Sequence, residues 1–400
     1  MFAEILLAKA SRGIDKIYHY SIPDELRDKV VVGQQVLVPF GSRSDIGYVV
    51  GLVGKAEVAK VKDILEIKSE PLFSEKSVAL AKWIAEYYYS FQISALRLVM
   101  PPGSKKSEVG KKVRVKKPVL KLVAGNSAQQ PTSDIHTGIL PLTQSPGFTL
   151  THEQSTAISS INQALDNNKP AKYLLYGITG SGKTEVYLQT IAHLLEKGKS
   201  AIVMVPEISL TPQLVQRFRD RFHDHTAVLH SELTEKLRRE EWERISTGQA
   251  RIVLGTRSAV FAPVKELGLI VIDEEYETSY KSDKSPRYHA REVALKLAEL
   301  NDAVVVMGSA TPSVETYYKT ETGEFQKLDL PKRIDDRPLP PVEVIDMRHE
   351  KEWLLSKRLR DELRDTLSRG EQAILFINRR GFFTFAQCKD CGNTLSCPRC

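Results

Sequence analysis

Cysteine is almost missing from this chain. The four cysteines are Cys388, Cys391, Cys397 and Cys400, so no disulfide within the chain can cross-link anything upstream of them. Two C-x-x-C pairs this close together indicate metal binding rather than disulfides. The spacing C-x₂-C-x₅-C-x₂-C could close one tetrahedral site, and we therefore expect Zn²⁺ as a cofactor.

Long apolar runs are missing as well. None approaches the roughly 20 residues that a helix needs to cross a bilayer. The opening residues, Met1-Phe2-Ala3-Glu4, lack the basic and then apolar pattern of a secretion signal. We expect a cytoplasmic protein with no membrane partner.

The charge of the chain is only mildly unbalanced. Lysine and arginine number 57 against 50 acidic residues, a net charge of +7, which suggests a polyanionic partner without proving one. Basic residues are concentrated between Lys105 and Lys121, where Glu108 is the single acid. This segment is either a solvated basic linker or a phosphate-contacting segment.

The fold class follows from the pattern after Leu150. Short apolar runs alternate there with helical stretches, at 173–176, 201–205, 251–254, 269–272 and 303–307. Apolar strands separated by helices predict an α/β fold with a parallel sheet covered on both faces. The region before 103 is different, with short strands and one helix, and predicts a small mixed β/α domain.

A phosphate-binding loop lies at 177–184. The sequence there fits G-x-x-x-x-G-K-[ST] in full, and it stands between an apolar strand and a helix. The expected ATP-binding residues of the loop are Gly177, Thr179, Gly180, Ser181, Gly182, Lys183 and Thr184. In such loops the lysine reaches the β- and γ-phosphates and the hydroxyl binds Mg²⁺, so ATP and Mg²⁺ are predicted ligands.

Two further segments can complete this site. Asp273 and Glu274 close an apolar strand, where the first can hold Mg²⁺ and the second can polarise the attacking water. The alternative is a solvated acidic turn. Gln154 could read adenine through its amide, or it could be an ordinary polar residue in the first turn of a helix.

The chain resembles a known family, the PriA family of bacterial replication-restart helicases in helicase superfamily 2. The matching stretches are GITGSGKTEVYL (177–188), VPEISLTPQ (205–213), GTRSAVFAP (255–263), VIDEE (271–275), SYKSDKSPRYHAR (279–291), GSATPS (308–313) and FINRRGF (376–382), with VPFGSR (38–43) near the start. The resemblance implies a RecA-like ATPase of two lobes that moves 3′ to 5′ on DNA at abandoned replication forks. Its implied partners are forked and single-stranded DNA, the 3′ end of a nascent strand, primosome proteins, single-stranded DNA-binding protein and the replicative helicase loader. The resemblance also implies that the protein is located in a bacterial cytoplasm and associates with the nucleoid.

The resemblance also implies two DNA-binding sites. One is an aromatic-rich loop that links single-strand binding to hydrolysis, represented here by Tyr280, Lys281, Arg287, Tyr288 and Arg291. Without the resemblance this stretch would be interpreted as a basic surface loop. The other is a pocket for a 3′-terminal nucleotide, represented by Tyr18, His19, Tyr20, Gly41 and Lys62. The alternative is that both tyrosines are core residues.

The sequence departs from the family pattern in four places. Tyr276 stands where the family usually has histidine, and His19 where it often has an acid. Segment 104–148 is too short and irregular for the family's winged helix. The family also continues beyond residue 400, with an arginine that completes the ATP site and cysteines that complete two zinc sites. We therefore expect a truncated chain with incomplete zinc sites that binds ATP but hydrolyses it poorly; the alternative is a non-catalytic fragment that binds forks and 3′ ends.

The predicted domain organisation has five parts. They are a 3′-end DNA-binding domain at 1–103, a basic linker or reduced winged-helix region at 104–148, helicase lobe 1 at 149–335, the start of lobe 2 at 336–387, and the start of a zinc-binding module at 388–400.

Overall fold

The structure is a computed structural model that describes residues 1–56, 61–103, 149–334, 340–350 and 354–376, with two short backbone strands after them. The chain divides into two compact units, Met1–Asp336 and Arg337–Cys400. The predicted linker at 104–148 and all four cysteines lie outside the described residues.

The first unit begins with an antiparallel sheet. Its strands are β1 (Phe2–Leu7), β2 (Ile17–Ser21), β3 (Gln35–Phe40), β4 (Arg43–Val53) and β5 (Glu66–Ile67), in the spatial order β2-β1-β4-β3-β5. Alternate residues such as Ile5 and Val38 point into a small core on one face. On the other face, Leu6 and Tyr48 pack in the cluster that contains α1 (Glu75–Tyr87) and α2 (Gln92–Leu96). This is the predicted mixed β/α domain.

A parallel sheet of seven strands forms the rest of the first unit. The strands are β6 (Lys172–Gly177), β7 (Ser200–Met204), β8 (Thr226–Leu229), β9 (Ile252–Gly255), β10 (Leu267–Asp273), β11 (Val304–Ser309) and β12 (Gln326–Leu330). Their order is β12-β6-β11-β10-β7-β9-β8. Sequence predicted five of these strands and missed β8 and β12.

Helices cover both faces of this sheet. They are α3 (His152–Asp166), α4 (Lys183–Glu196), α5 (Pro212–Phe222), α6 (Glu235–Thr247), α7 (Ala290–Asn301) and α8 (Val314–Glu321). The alternation of β10 shows the two faces, because Ile270 and Ile272 belong to one buried cluster while Leu269 and Val271 belong to the other. The predicted α/β fold is confirmed. None of the helices in the described ranges is long and apolar enough to span a membrane.

The strand order brings three loops together at one edge. β11 lies between β6 and β10, with Asp273 paired to Gly308 and Ser309 to Tyr176. Because parallel strands end at the same edge, the loops after β6, β10 and β11 meet there. The candidate site is built from these loops.

The second unit contains α9 (Lys357–Ser368) and a short pair of strands, β13 (Ala386–Gln387) and β14 (Thr394–Leu395). The apolar run at 372–377 predicts a strand after this helix, and this prediction is wrong over its described part, since residues 371–376 are irregular. Ile374 is 96% exposed, and in the described part of this unit no strand lies beside it. An apolar run becomes a buried strand only where a neighbouring strand takes up its backbone hydrogen bonds.

Candidate active site

The phosphate loop joins the end of β6 to the start of α4. Gly180 and Gly182 both have a φ angle of 83°, in the left-handed region that glycine enters without steric cost. A Cβ on Gly182 would lie 2.2 Å from Nε2 of Gln154. Position 182 therefore requires glycine for its backbone conformation and for space.

The polar side chains of the loop fit a bound nucleotide. Lys183 is buried, and its Nζ donates to the carbonyl oxygen of Gly177 at 2.9 Å. Ser181 is also buried, and its Oγ has no hydrogen-bond partner among the described residues. Thr184 is half-buried and Thr179 is exposed. A shielded ammonium group and an unsatisfied hydroxyl at the N-terminus of α4 suit phosphate oxygens.

Gln154 connects the start of α3 to the phosphate loop. Its side-chain Oε1 accepts from the backbone N–H of Thr151 at 3.0 Å, and its backbone N–H donates to Thr151 Oγ1 at 3.2 Å. The two bonds form a capping box. Its Nε2 donates to the carbonyl oxygen of Ser181 at 3.0 Å. An adenine base would have to share or replace these partners, so the adenine-reading role stays a prediction.

Asp273 and Glu274 lie at the end of β10, facing the same edge as the phosphate loop. Burial raises the pKa of Asp273, although its hydrogen bond from Tyr187 and the charge of Lys183 act in the opposite direction. Burial and the neighbouring Asp273 also raise the pKa of Glu274. Glu274 has a φ angle of 45°, an uncommon conformation for a residue with a side chain. Two carboxylates with raised proton affinity are suited to a cation and to general-base chemistry.

Tyr187 is a site residue that sequence reasoning missed. Its Oη donates to Oδ1 of Asp273 at 2.9 Å, which ties α4 to β10. Tyr187 and Asp273 can contact each other because Gly308, which lies beside them on β11, has no side chain. A Cβ at position 308 would lie 1.6 Å from the Tyr187 Oη. The available signal was helical spacing, since Tyr187 is four residues after Lys183 and on the same face of α4.

Glu275 is the second missed residue, and it is fully buried. Its Oε2 lies 2.8 Å from Arg291 Nη1 and accepts from Ser313 Oγ and Thr316 Oγ1 at 3.1 and 3.0 Å. Its Oε1 accepts from the Ser313 amide at 2.6 Å. The network joins the end of β10 to the starts of α7 and α8. Sequence could not separate this acid from its neighbours, because which of three consecutive carboxylates points inward depends on the turn after β10.

The structure corrects the predicted roles of three residues in the aromatic-rich loop. Tyr280 is 0% exposed and its Oη donates to the carbonyl oxygen of Asp273 at 2.7 Å, while Tyr288 is 5% exposed. Arg291 is held by Glu275. The rings therefore offer no face to a base and the guanidinium is committed inside the protein. Lys281 and Arg287 are exposed, and their contact with phosphate stays a prediction.

The N-terminal site brings together residues from three segments. Tyr20 is buried and its Oη donates to the carbonyl oxygen of Pro39 at 3.1 Å. Tyr18, on the same face of β2, is half-buried. The Nζ of Lys62 lies 3.4 Å from the carbonyl oxygen of Gly41.

His19 lies apart from this group. It points to the opposite face of β2, where its Nε2 is 3.6 Å from Oε1 of Glu4. The predicted pocket is therefore divided by the sheet. Tyr20 behaves as the core residue that the alternative foresaw, whereas Tyr18, Gly41 and Lys62 remain available on one side.

The zinc prediction concerns residues beyond this description, because Cys388, Cys391, Cys397 and Cys400 are outside the described residues. Within the described ranges, no group of three or more histidine, cysteine, aspartate and glutamate side chains could hold a metal ion.

Two family models match the chain. The 3′DNA-binding domain (3′BD) of PriA matches residues 4–101, and the DEAD/DEAH box helicase domain matches residues 151–320. The boundaries enclose the antiparallel sheet and most of the parallel sheet, respectively.

Similar proteins match this chain over nearly all of its length, including both of these domains. Replication restart protein PriA of Bacillus subtilis (strain 168) is 33% identical over 523 residues, which cover 100% of this chain and 65% of that protein. Replication restart protein PriA of Treponema pallidum (strain Nichols) is 38% identical over 394 residues, covering 97% of this chain and 56% of that protein. A solved structure of RecG bound to a three-way DNA junction aligns with a TM-score of 0.39 at 24% identity, covering 56% of this chain and 29% of that chain. The chain thus spans less than two thirds of the length of the two relatives.

Proposed function

We propose that this chain is a PriA-like, ATP-dependent 3′–5′ DNA helicase that recognises stalled or abandoned replication forks and initiates primosome assembly. The observation that carries the proposal is the joining, in one compact unit, of a 3′ DNA-binding domain and a helicase domain with a complete phosphate loop. The geometry of the loop and of the acids after β10 supports ATP hydrolysis as the energy source.

The chemistry is phosphoryl transfer to water. Lys183 exchanges its bond to the Gly177 carbonyl for the β- and γ-phosphates. Thr184 and Asp273 would hold Mg²⁺, and the ion would neutralise charge on the phosphates. Glu274 accepts the proton of the attacking water, a role that its raised pKa favours.

DNA contacts come from both domains. We propose that Tyr18, Gly41 and Lys62 bind the 3′-terminal nucleotide of a nascent strand, with the ring for stacking and the ammonium group for phosphate. Lys281 and Arg287 contact the phosphates of single-stranded DNA. Beside the phosphate loop, Gln154 reads adenine after releasing one of its present hydrogen bonds.

The remaining proposals rest on the resemblance. The four cysteines contribute to zinc sites, with thiolate ligands that suit Zn²⁺. Primosome proteins, single-stranded DNA-binding protein and the loader of the replicative helicase are the protein partners. In the family, an arginine from a second lobe completes the ATP site.

ATP hydrolysis in the presence of forked DNA tests the proposal. We expect stimulation by forked or single-stranded DNA, and loss of hydrolysis in Lys183→Ala. The matched control is Lys172→Ala at the start of β6, whose Nζ pairs with Glu324 at a distance of 3.1 Å. This variant should leave the rate unchanged. Hydrolysis that ignores DNA would contradict the motor function.

Two binding measurements separate the alternative function. A fragment that only binds forks would show salt-sensitive DNA affinity and a preference for a free 3′ end, with no turnover above that of Lys183→Ala. Equal affinity for free and blocked 3′ ends would contradict the proposal that the Tyr18 site binds a 3′-terminal nucleotide.

A further inference from the structure

The loop at 280–291 presents cations to solvent but no aromatic face. Tyr280 and Tyr288 are core residues, as described above. Any single-stranded DNA that follows Lys281 and Arg287 must therefore find its stacking partners on a neighbouring element.

The end of α1 supplies such partners. Tyr87 is 55% exposed and Tyr89 is 97% exposed, the highest value among large apolar side chains in the described part of the chain. The Tyr87 ring stacks on Trp83 with centroids 4.8 Å apart, which fixes its orientation. Tyr89 has a φ of 49°, and its ring lies almost entirely in solvent. Exposed apolar side chains that lie close together, unlike single ones, indicate an interaction site.

Two contacts attach Tyr88, the residue between these tyrosines, to the loop. The His289 amide donates to the Oη of Tyr88 at 3.1 Å, and the Nζ of Lys281 lies 5.2 Å from the centre of the Tyr88 ring. The same Nζ donates to the carbonyl oxygen of Arg287 at 2.5 Å. The end of the N-terminal domain and the loop at 280–291 are thus in direct contact at Tyr88.

We propose that Tyr87 and Tyr89, together with Lys281, Lys284 and Arg287, form a binding surface for single-stranded DNA, in which the two rings stack on bases. The proposal deepens the helicase function and rests on it. The exposed acids Glu86 and Asp283 interrupt the basic residues. Stacking therefore supplies more of the affinity than net charge does, and the surface favours unpaired bases over duplex.

The surface is directly connected to the hydrolysis site. Tyr280, next to Lys281, holds the carbonyl oxygen of Asp273, and Arg291, two residues after His289, holds Glu275. A strand that displaces Lys281 or Tyr88 therefore acts on segments that hold Asp273 and Glu275, the residues on either side of the proposed base Glu274. DNA bound here should raise the rate of ATP hydrolysis.

The test compares oligothymidylate with an abasic strand of equal length, both blocked at the 3′ end so that the Tyr18 site is not measured. The 400-residue chain is titrated against each by fluorescence anisotropy. Tyr87→Ala/Tyr89→Ala should weaken binding of oligothymidylate at least about fivefold, since one base–aromatic stack is worth at least that much. Affinity for the abasic strand should stay the same. The control is Tyr318→Ala, an equally solvated tyrosine (65% exposed) on α8.

A second variant separates stacking from a structural role. Tyr87→Phe/Tyr89→Phe keeps both rings and should bind as the parent does. Unchanged oligothymidylate affinity in the alanine variant, or equal loss for both strands, would overturn the proposal while leaving the helicase function intact. Failure of the parent chain to bind any single strand or fork would instead remove the helicase function itself.

Discussion

Arg291→Ala tests whether an internal ion pair, rather than a phosphate contact, is the role of this arginine. The Glu275 side chain is 0% exposed and that of Arg291 16% exposed, with 2.8 Å between them. Removing one member of a buried pair leaves an uncompensated charge and costs about 3–5 kcal/mol. Because Ser313 and Thr316 still donate to the Glu275 carboxylate, we expect the lower end, about 3 kcal/mol.

Thermal unfolding followed by circular dichroism measures this effect. A loss of about 3 kcal/mol should lower Tm by roughly 6–10 °C in a domain of this size. The matched control is Arg217→Ala, which removes a contact of 2.9 Å to the buried Glu185. Arg217 is 48% exposed, and Glu185 keeps Arg221 at 3.0 Å, so the control should cost less than about 1 kcal/mol.

A double variant checks the cause. In Glu275→Gln/Arg291→Ala the buried charge is gone, and the pair should be more stable than the sum of the two single effects predicts. A Tm for Arg291→Ala equal to that of the parent, together with lower DNA affinity, would refute the reasoning and restore the arginine as a phosphate contact.

Three other changes test the ATP site. Gly182→Ala should abolish nucleotide binding, measured by calorimetry, because its Cβ would meet the Gln154 amide at 2.2 Å in a backbone conformation strained for alanine. Glu274→Gln should retain ATP binding and lose hydrolysis, and the parent's rate should fall with acidification at a pH above the ordinary glutamate range, because the raised pKa makes protonation of this base easier. Asp273→Asn should raise Tm by about 2 °C without Mg²⁺, and a lower Tm would contradict this. Burial raises the pKa of Asp273 in the folded state, so the protein loses stability as the pH rises from the ordinary pKa of 3.8 through the folded value. The neutral amide in Asp273→Asn has no charge to bury and avoids this loss of stability.

The sequence by itself predicted the phosphate loop, and its motifs resemble those of one family of helicases. Glycine at 180 and 182 and lysine at 183 are prescribed by local backbone and phosphate chemistry, so adjacent residues carry the whole signal. Apolar runs buried on both faces predicted the parallel sheet, although the edge strands β8 and β12 were missed. β12 alternates exposed and buried residues, a weaker signal than a continuous apolar run.

Only the tertiary structure decided which side chains face inward. Tyr280 and Tyr288 lie among basic residues, a pattern that predicts stacking on DNA bases. The fold nevertheless buries both rings and leaves Tyr87 and Tyr89 of another domain in solvent. Glu275 and Arg291 meet because the turn after β10 and the start of α7 are packed together. Burial and pairing depend on contacts between residues far apart in the chain, and no local pattern of residue types encodes them.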